Sequence, residues 1–176
     1  VFSSLSAMEG EKPRISIVIL GHFRSGKTFT CGQLMYLCGA LDERTIDHYD
    51  REARYYGIPP VESVVEKNIY TPAENQRRLS IETKFKKIET PRFSCTLIDA
   101  PGHREFIDEA IVSISHADAA ILVVSAAQGE FEAGIGDDGE MREHILLAFV
   151  LGIRQLIVAV NKMDDESVAF SQARFD

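Results

Sequence analysis

The stretch Gly21-His22-Phe23-Arg24-Ser25-Gly26-Lys27-Thr28 constrains the fold of this chain more than any other. It has the spacing G-x-x-x-x-G-K-[ST]. It follows the apolar run Ile15 to Leu20 and precedes Cys31, Leu34, Met35 and Cys38, which recur at i, i+3, i+4 and i+7. A strand is therefore expected to feed a glycine-rich turn that opens a helix. Glycines let the backbone wrap so that its N–H groups converge, and the helix start adds a field favourable to anions. Such a turn cradles phosphates. Lys27 would reach the β and γ oxygens of a nucleotide as a point charge, and the Thr28 hydroxyl would ligate Mg2+.

Three further apolar runs follow: Phe93 to Ile98, Ala119 to Ser125 and Gln155 to Val160. They are continuous rather than alternating, the pattern of parallel strands covered on both faces. Ile107, Ala110, Ile111 and Ile114 mark a helix between them, and Met141, Ile145, Ala148 and Phe149 another. Strand alternating with helix predicts an α/β fold, a doubly wound and mostly parallel sheet with helices on both faces. Ligands of such sheets sit at the carboxyl ends of the strands. The chemistry is thus expected just after Leu20, Ile98 and Val160. Between the first and second runs the pattern loosens. Asp42 to Tyr56 reads as an exposed charged helix, Gly57-Ile58-Pro59-Pro60 breaks it, and Ile81, Thr83 and Phe85 alternate as in a strand over residues 81–88.

Composition narrows the classes. The chain has 176 residues, 45% apolar and 26% charged, as in an ordinary globular domain, and a net charge of -8. An acidic balance argues against a nucleic-acid-binding surface built from this segment alone. The charge is uneven: residues 66–92 hold seven basic and four acidic side chains, residues 130–143 six acidic and one basic. No apolar run approaches the roughly 20 residues of a membrane helix, so no membrane partner is expected. The opening residues lack the form of a secretory signal. Cys31, Cys38 and Cys95 have no metal-ligand spacing and read as buried thiols in a reducing, cytoplasmic compartment.

Two more motifs stand at the expected strand ends. Asp99-Ala100-Pro101-Gly102-His103 follows Thr96-Leu97-Ile98. An Asp there can hold Mg2+ through water, Gly102 can sense a γ-phosphate with its N–H, and His103 can orient an attacking water. Asn161-Lys162-Met163-Asp164 follows Leu156 to Val160. Guanine offers two donors, its ring N1–H and its 2-amino group, to one carboxylate, whereas adenine would leave that carboxylate unpaired. Asp164 is the expected base reader, Asn161 would tie its loop to the phosphate loop, and Lys162 would lie along the base. The ligands expected are GTP and GDP with Mg2+.

With these motifs the chain resembles the translational GTPases, most of all the elongation factor 1-alpha family. The similarity spans about residues 14–176. It rests on the run from Leu97 to Ile107, on Gly129-Glu130-Phe131-Glu132-Ala133-Gly134-Ile135, on Arg142-Glu143-His144, on the run from Gly152 to Asp164, and on Leu41 to Ile46. The resemblance implies a P-loop NTPase G domain over residues 14–176, incomplete at its C-terminus and lacking the last strand and helix. Residues 1–13 would form an N-terminal extension. It implies slow GTP hydrolysis with Lys27 and His103 as the catalytic groups. It also implies the ribosome, aminoacyl-tRNA and a nucleotide exchange factor as partners.

The departures from the family pattern are specific. Its phosphate loop reads G-H-V-D-[SH]-G-K-[ST]-[TS]; here Phe23-Arg24 replaces Val-Asp, reversing a charge, and Phe29 takes the last position. Its first switch, R-G-I-T-[IV]-D, corresponds to Arg77-Arg78-Leu79-Ser80-Ile81-Glu82. Ser80 keeps the hydroxyl that would ligate Mg2+ beside Thr28 and Asp99, whereas Arg78 replaces a glycine. Asp108 and Glu109 stand where the family has Lys and Asn, which should weaken contact with tRNA. Arg24, Phe29 and Arg78 motivate a second reading, a pseudo-GTPase that binds guanine nucleotide with weakened switching. A third is a release-factor or ribosome-rescue GTPase.

Overall fold

Strands rich in Val, Ile and Leu must be covered on both faces, and the three central strands are. In the computed structural model, which describes residues 12–77, 80–137 and 139–176, β1 (Arg14–Leu20) lies mid-sheet. It pairs in parallel with β3 (Ser94–Asp99) on one side and β4 (Ala119–Ser125) on the other. β5 (Leu156–Asn161) extends the sheet in parallel beyond β4, and β2 (Lys84–Glu89) runs antiparallel beside β3. The order is β2-β3-β1-β4-β5.

Alternation along each strand divides the apolar residues between two cores. Val18, Leu20, Ile98, Leu122 and Val124 pack on Ile114 of α5 (Ile107–Ser115) and on Met141 and Ala148 of α7 (Glu140–Val150). Ile19, Cys95, Leu97 and Val123 pack on Cys31 and Met35 of α1 (Lys27–Leu37) and on Val65 and Ile69 of a π-helical turn. Each fully buried large aliphatic side chain contributes about 2 kcal/mol, so both helical layers hold the sheet that aims the loops.

The charged helix expected after residue 42 is α2 (Glu43–Tyr56). Asp42 caps it, accepting the Thr45 N–H at 3.0 Å, and Gly57 ends it in the left-handed region at φ 68°. Three short segments follow that sequence periodicity did not reveal: α3 (Pro60–Val64), the π-helical turn Val65–Ile69 and α4 (Pro72–Arg77). Two more short helices, α6 (Glu130–Ile135) and α8 (Gln172–Phe175), and a 3-10 turn at Arg104–Phe106 ahead of α5 complete the described chain.

Four expectations are corrected. β2 begins at Lys84 and not at Ile81, because the Ile81 and Glu82 amides bond the Glu74 carboxylate instead of a strand. Phe93 lies before β3, in a turn where its carbonyl accepts the Thr90 N–H. β5 is not covered on both faces: Leu156, Ile157 and Val158 are 45, 62 and 56% exposed at the sheet edge, where β4 is the strand's neighbour. Cys38 is half-buried, since it follows the last turn of α1 where the chain leaves the core; Cys31 and Cys95 are buried. Of the expected N-terminal extension, residues 1–11 lie outside the described residues, as do Arg78 and Leu79.

Candidate functional site

The loops after β1, β3 and β5 meet at one end of the sheet around a cleft of about 760 Å³. Of the residues singled out in the sequence, Phe23, Arg24, Gly26, Lys27, Thr28, Phe29, Ser80, Gly102, Asn161, Lys162 and Asp164 line it. Thr30, Gln33, Leu34, Val61 and Tyr70 complete the wall. Gly21, His22, Ser25, Asp99, Ala100, Pro101, His103 and Met163 stand behind or beside this surface. Asp99 and Ala100 are fully buried, and His22 Nδ1 faces the Glu140 carboxylate of α7.

Gly26 stands at the α1 N-cap with φ 98°. A Cβ there would overlap Asn161 Nδ2, the atom that donates to the Ser25 carbonyl at 2.9 Å. The third loop is thus tied to the first, across 136 residues of sequence. Gly102 approaches equally closely, and a Cβ would overlap Lys27 Nζ. Lys27 is buried and donates to the His22 carbonyl at 2.9 Å. Burial lowers its pKa to about 8, against the opposing pull of Asp99 and Glu140. Among the described residues no carboxylate forms an ion pair with this buried ammonium, so its charge is available to a phosphate.

The Thr28 and Ser80 hydroxyl oxygens lie 2.8 Å apart. That is close to the ~3 Å between adjacent ligands of an octahedral ion bound at 2.0–2.1 Å. Asp99 is fully buried and neither carboxylate oxygen has a hydrogen-bond partner among the described residues, the Thr28 hydroxyl lying near without closing one. Burial raises its pKa to about 6, although Thr28 and the Lys27 charge oppose the rise. Two hydroxyls and an unpartnered carboxylate suit a hard cation that keeps some of its waters and binds phosphate. No group of three or more His, Cys, Asp or Glu able to hold a metal occurs among the described residues.

Asp164 lines the same cleft, is exposed and has no partner among the described residues, which leaves both its oxygens as acceptors. Lys162, at φ 58°, lines the cleft and donates to Glu130 at 2.7 Å. His103 does not line the cleft. Its ring stands edge-on to Phe23 at 5.3 Å and beside Phe106 at 6.2 Å, and its Nδ1 accepts the Glu105 N–H at 3.3 Å. Arg24 lies 5.1 Å over the Phe23 ring.

Sequence reading missed Glu74, although its local signal was present as Thr71-x-x-Glu74, a capping box. Thr71 N–H donates to Glu74 Oε2 at 2.8 Å, and Glu74 N–H to Thr71 Oγ1 at 3.3 Å. Oε1 also accepts the amides of Ile81 at 2.8 Å and Glu82 at 3.2 Å, and Lys84 Nζ lies 3.3 Å from Oε2. Burial opposes ionisation, but the Ile81, Thr71 and Glu82 amides outweigh it and bring the pKa from 4.5 down to about 2. A lowered folded-state pKa contributes stability at neutral pH that is lost as pH falls from 4.5 towards 2. The carboxylate is 1% exposed, so the shift corresponds to about 3 kcal/mol. Urea unfolding at successive pH values should show this loss, and Glu74→Gln should flatten the curve over the same window.

Residues 12–176 match the family described as the elongation factor Tu GTP binding domain. Elongation factor 1-alpha of Saccharomyces cerevisiae is 49% identical over 170 residues, 96% of this chain and 36% of that protein. The chain spans about a third of the length of the curated relatives it matches. Among solved structures, sup35 complexed with GDP is 30% identical, with a TM-score of 0.62, covering 99% of this chain and 33% of that one. The S. cerevisiae Ski7 GTPase-like domain, bound to GDP and inorganic phosphate, shares the fold with a TM-score of 0.76 at 18% identity, covering 94% and 37%.

Proposed function

Since the chain belongs to the elongation factor Tu GTP-binding domain family, we propose that it binds GTP and GDP and hydrolyses GTP as the nucleotide domain of an elongation factor 1-alpha-like translation factor. The observation that carries this is the single cleft in which Lys27, the Thr28–Ser80 pair and the free Asp164 carboxylate stand together. Lys27 and the N–H groups at the start of α1 bind the phosphates. Asp164 accepts from N1–H and the 2-amino group of guanine, while the Lys162 stem covers the base. Thr28, Ser80 and, through water, Asp99 would hold Mg2+, which when bound supplies charge neutralisation at the β- and γ-phosphates. His103 orients the attacking water only after it leaves the Phe23 ring. Hydrolysis by the isolated protein is therefore slow until a partner moves that ring. That partner is the ribosome, with aminoacyl-tRNA and an exchange factor as further partners in the cytoplasm. The exposed Asp108 and Glu109 weaken contact with tRNA. The pseudo-GTPase and release- or rescue-factor readings are not favoured by the relatives.

Titration calorimetry with GDP, GTP and ATP tests the binding, and phosphate release with and without ribosomes tests the turnover. Uptake of guanine nucleotides alone, with ribosome-stimulated release, is expected. Equal affinity for ATP, or no uptake of GDP, would refute the proposal.

Arg24 sharpens it. Arg24 lines the same cleft as Lys27, and its φ of 60° suits Asp better than Arg. Arg24→Asp should therefore fold normally yet weaken GTP binding about tenfold at low salt, with a smaller loss at high salt. Calorimetry at two ionic strengths checks both the sign and the salt dependence.

A further inference from the structure

We propose that Glu74 is a positioning residue that holds Ser80 within metal-ligating reach of Thr28. This rests on the proposed guanine-nucleotide site, in which Ser80 serves the cation, and it adds what places that hydroxyl. Ser80 belongs to neither a helix nor a strand, so no ladder of backbone bonds fixes it. The next two amides, Ile81 and Glu82, both donate to Glu74 Oε1. Oε2 is anchored at the root of α4 by the Thr71 amide, and Lys84 at the start of β2 stands between Glu74 and Glu82 at 3.3 and 3.2 Å. One buried carboxylate therefore ties the backbone at the root of α4 to that of residues 81–82 and, through the Lys84 ammonium, to the start of β2. On the other side of the hydroxyl pair, Thr28 is fixed by α1.

A carboxylate suits this task because it presents only acceptors. Gln has the same size, yet its amide nitrogen would meet an N–H or the Lys84 ammonium head-on and leave a buried donor unpaired. With the latch closed, the two hydroxyls already hold the spacing of adjacent ligands, and the cation does not have to order Ser80 on arrival. Nucleotides that engage the cation through both hydroxyls gain from the latch, and GDP without metal does not.

The test measures hydrogen exchange at the Ile81 and Glu82 amides of the nucleotide-free protein, and nucleotide affinity in parallel. In the wild type both amides should exchange at least a hundredfold more slowly than exposed amides. Glu74→Gln should lose at least tenfold of that protection. It should also bind GTPγS with Mg2+ at least tenfold more weakly, need more Mg2+ for half-saturation, and keep GDP affinity in EDTA within twofold. Unprotected amides in the wild type overturn the latch without any variant having to fold, and so does protection that persists in Glu74→Gln. Equal loss for both nucleotides overturns the positioning role. Wild-type protein that takes up no guanine nucleotide instead overturns the proposed function, whatever the amides show.

Discussion

Asp164→Asn is expected to lower GTP affinity by two orders of magnitude or more and to move preference to XTP. The Asp164 carboxylate has no partner among the described residues and lines the same cleft as the phosphate loop. Guanine would meet it with two donors. A hydrogen bond to a charged group is worth about 1.5–3 kcal/mol, and a donor left buried without a partner costs a comparable amount. The amide nitrogen of Asn would face one of those donors, so one bond is lost and one donor stranded, about 3 kcal/mol together, or more than a hundredfold. Xanthine keeps the N1–H but carries a carbonyl at C2, and an amide presents the matching donor and acceptor. The substitution sits on an exposed loop position, so stability should hold. Competition calorimetry with GTP and XTP measures the reversal; unchanged GTP affinity would remove Asp164 as the base reader.

Much of this was legible because strand–loop–helix units carry their own signals. The run RISIVIL is apolar at every other position or better, and the structure sends Val18 and Ile19 to opposite cores. The phosphate-loop spacing then located Lys27 and Thr28, and the strand ends located Asp99 and Asn161. What escaped was short or tertiary. Segments of five or six residues such as α3 and α4 hold too few turns to display a period. Glu74 was not singled out, because only the folded chain brings Ile81 and Glu82 to it. The alternation over residues 81–88 indicated the strand Lys84–Glu89 but not its start, because two amides ahead of it are taken by a side chain. The withdrawal of His103 onto Phe23 is of the same kind, a contact across 80 residues of sequence with no local mark.

The contact between Gly26 and Asn161 gives the second large expectation, and one that separates two causes. Gly26→Ala should lower nucleotide affinity at least a hundredfold. Alanine at φ 98° is strained, by roughly 1–2 kcal/mol for an ordinary left-handed residue. Its Cβ would also displace Asn161 Nδ2 and break the bond to Ser25 that joins the phosphate loop to the base-reading loop. Asn161→Ala alone removes the bond without the strain and should cost less, roughly 1–2 kcal/mol for a partly buried pair. If the overlap carries most of the Gly26 effect, the two losses share a cause. Adding Asn161→Ala to Gly26→Ala should then cost almost nothing more, with a coupling of about 1 kcal/mol or above. If backbone strain carries it, the losses add. Calorimetric affinities of the two single variants and the double variant for GDP decide between these. Strict additivity would mean that backbone strain at Gly26, and not displacement of the Asn161 side chain, lowers the affinity.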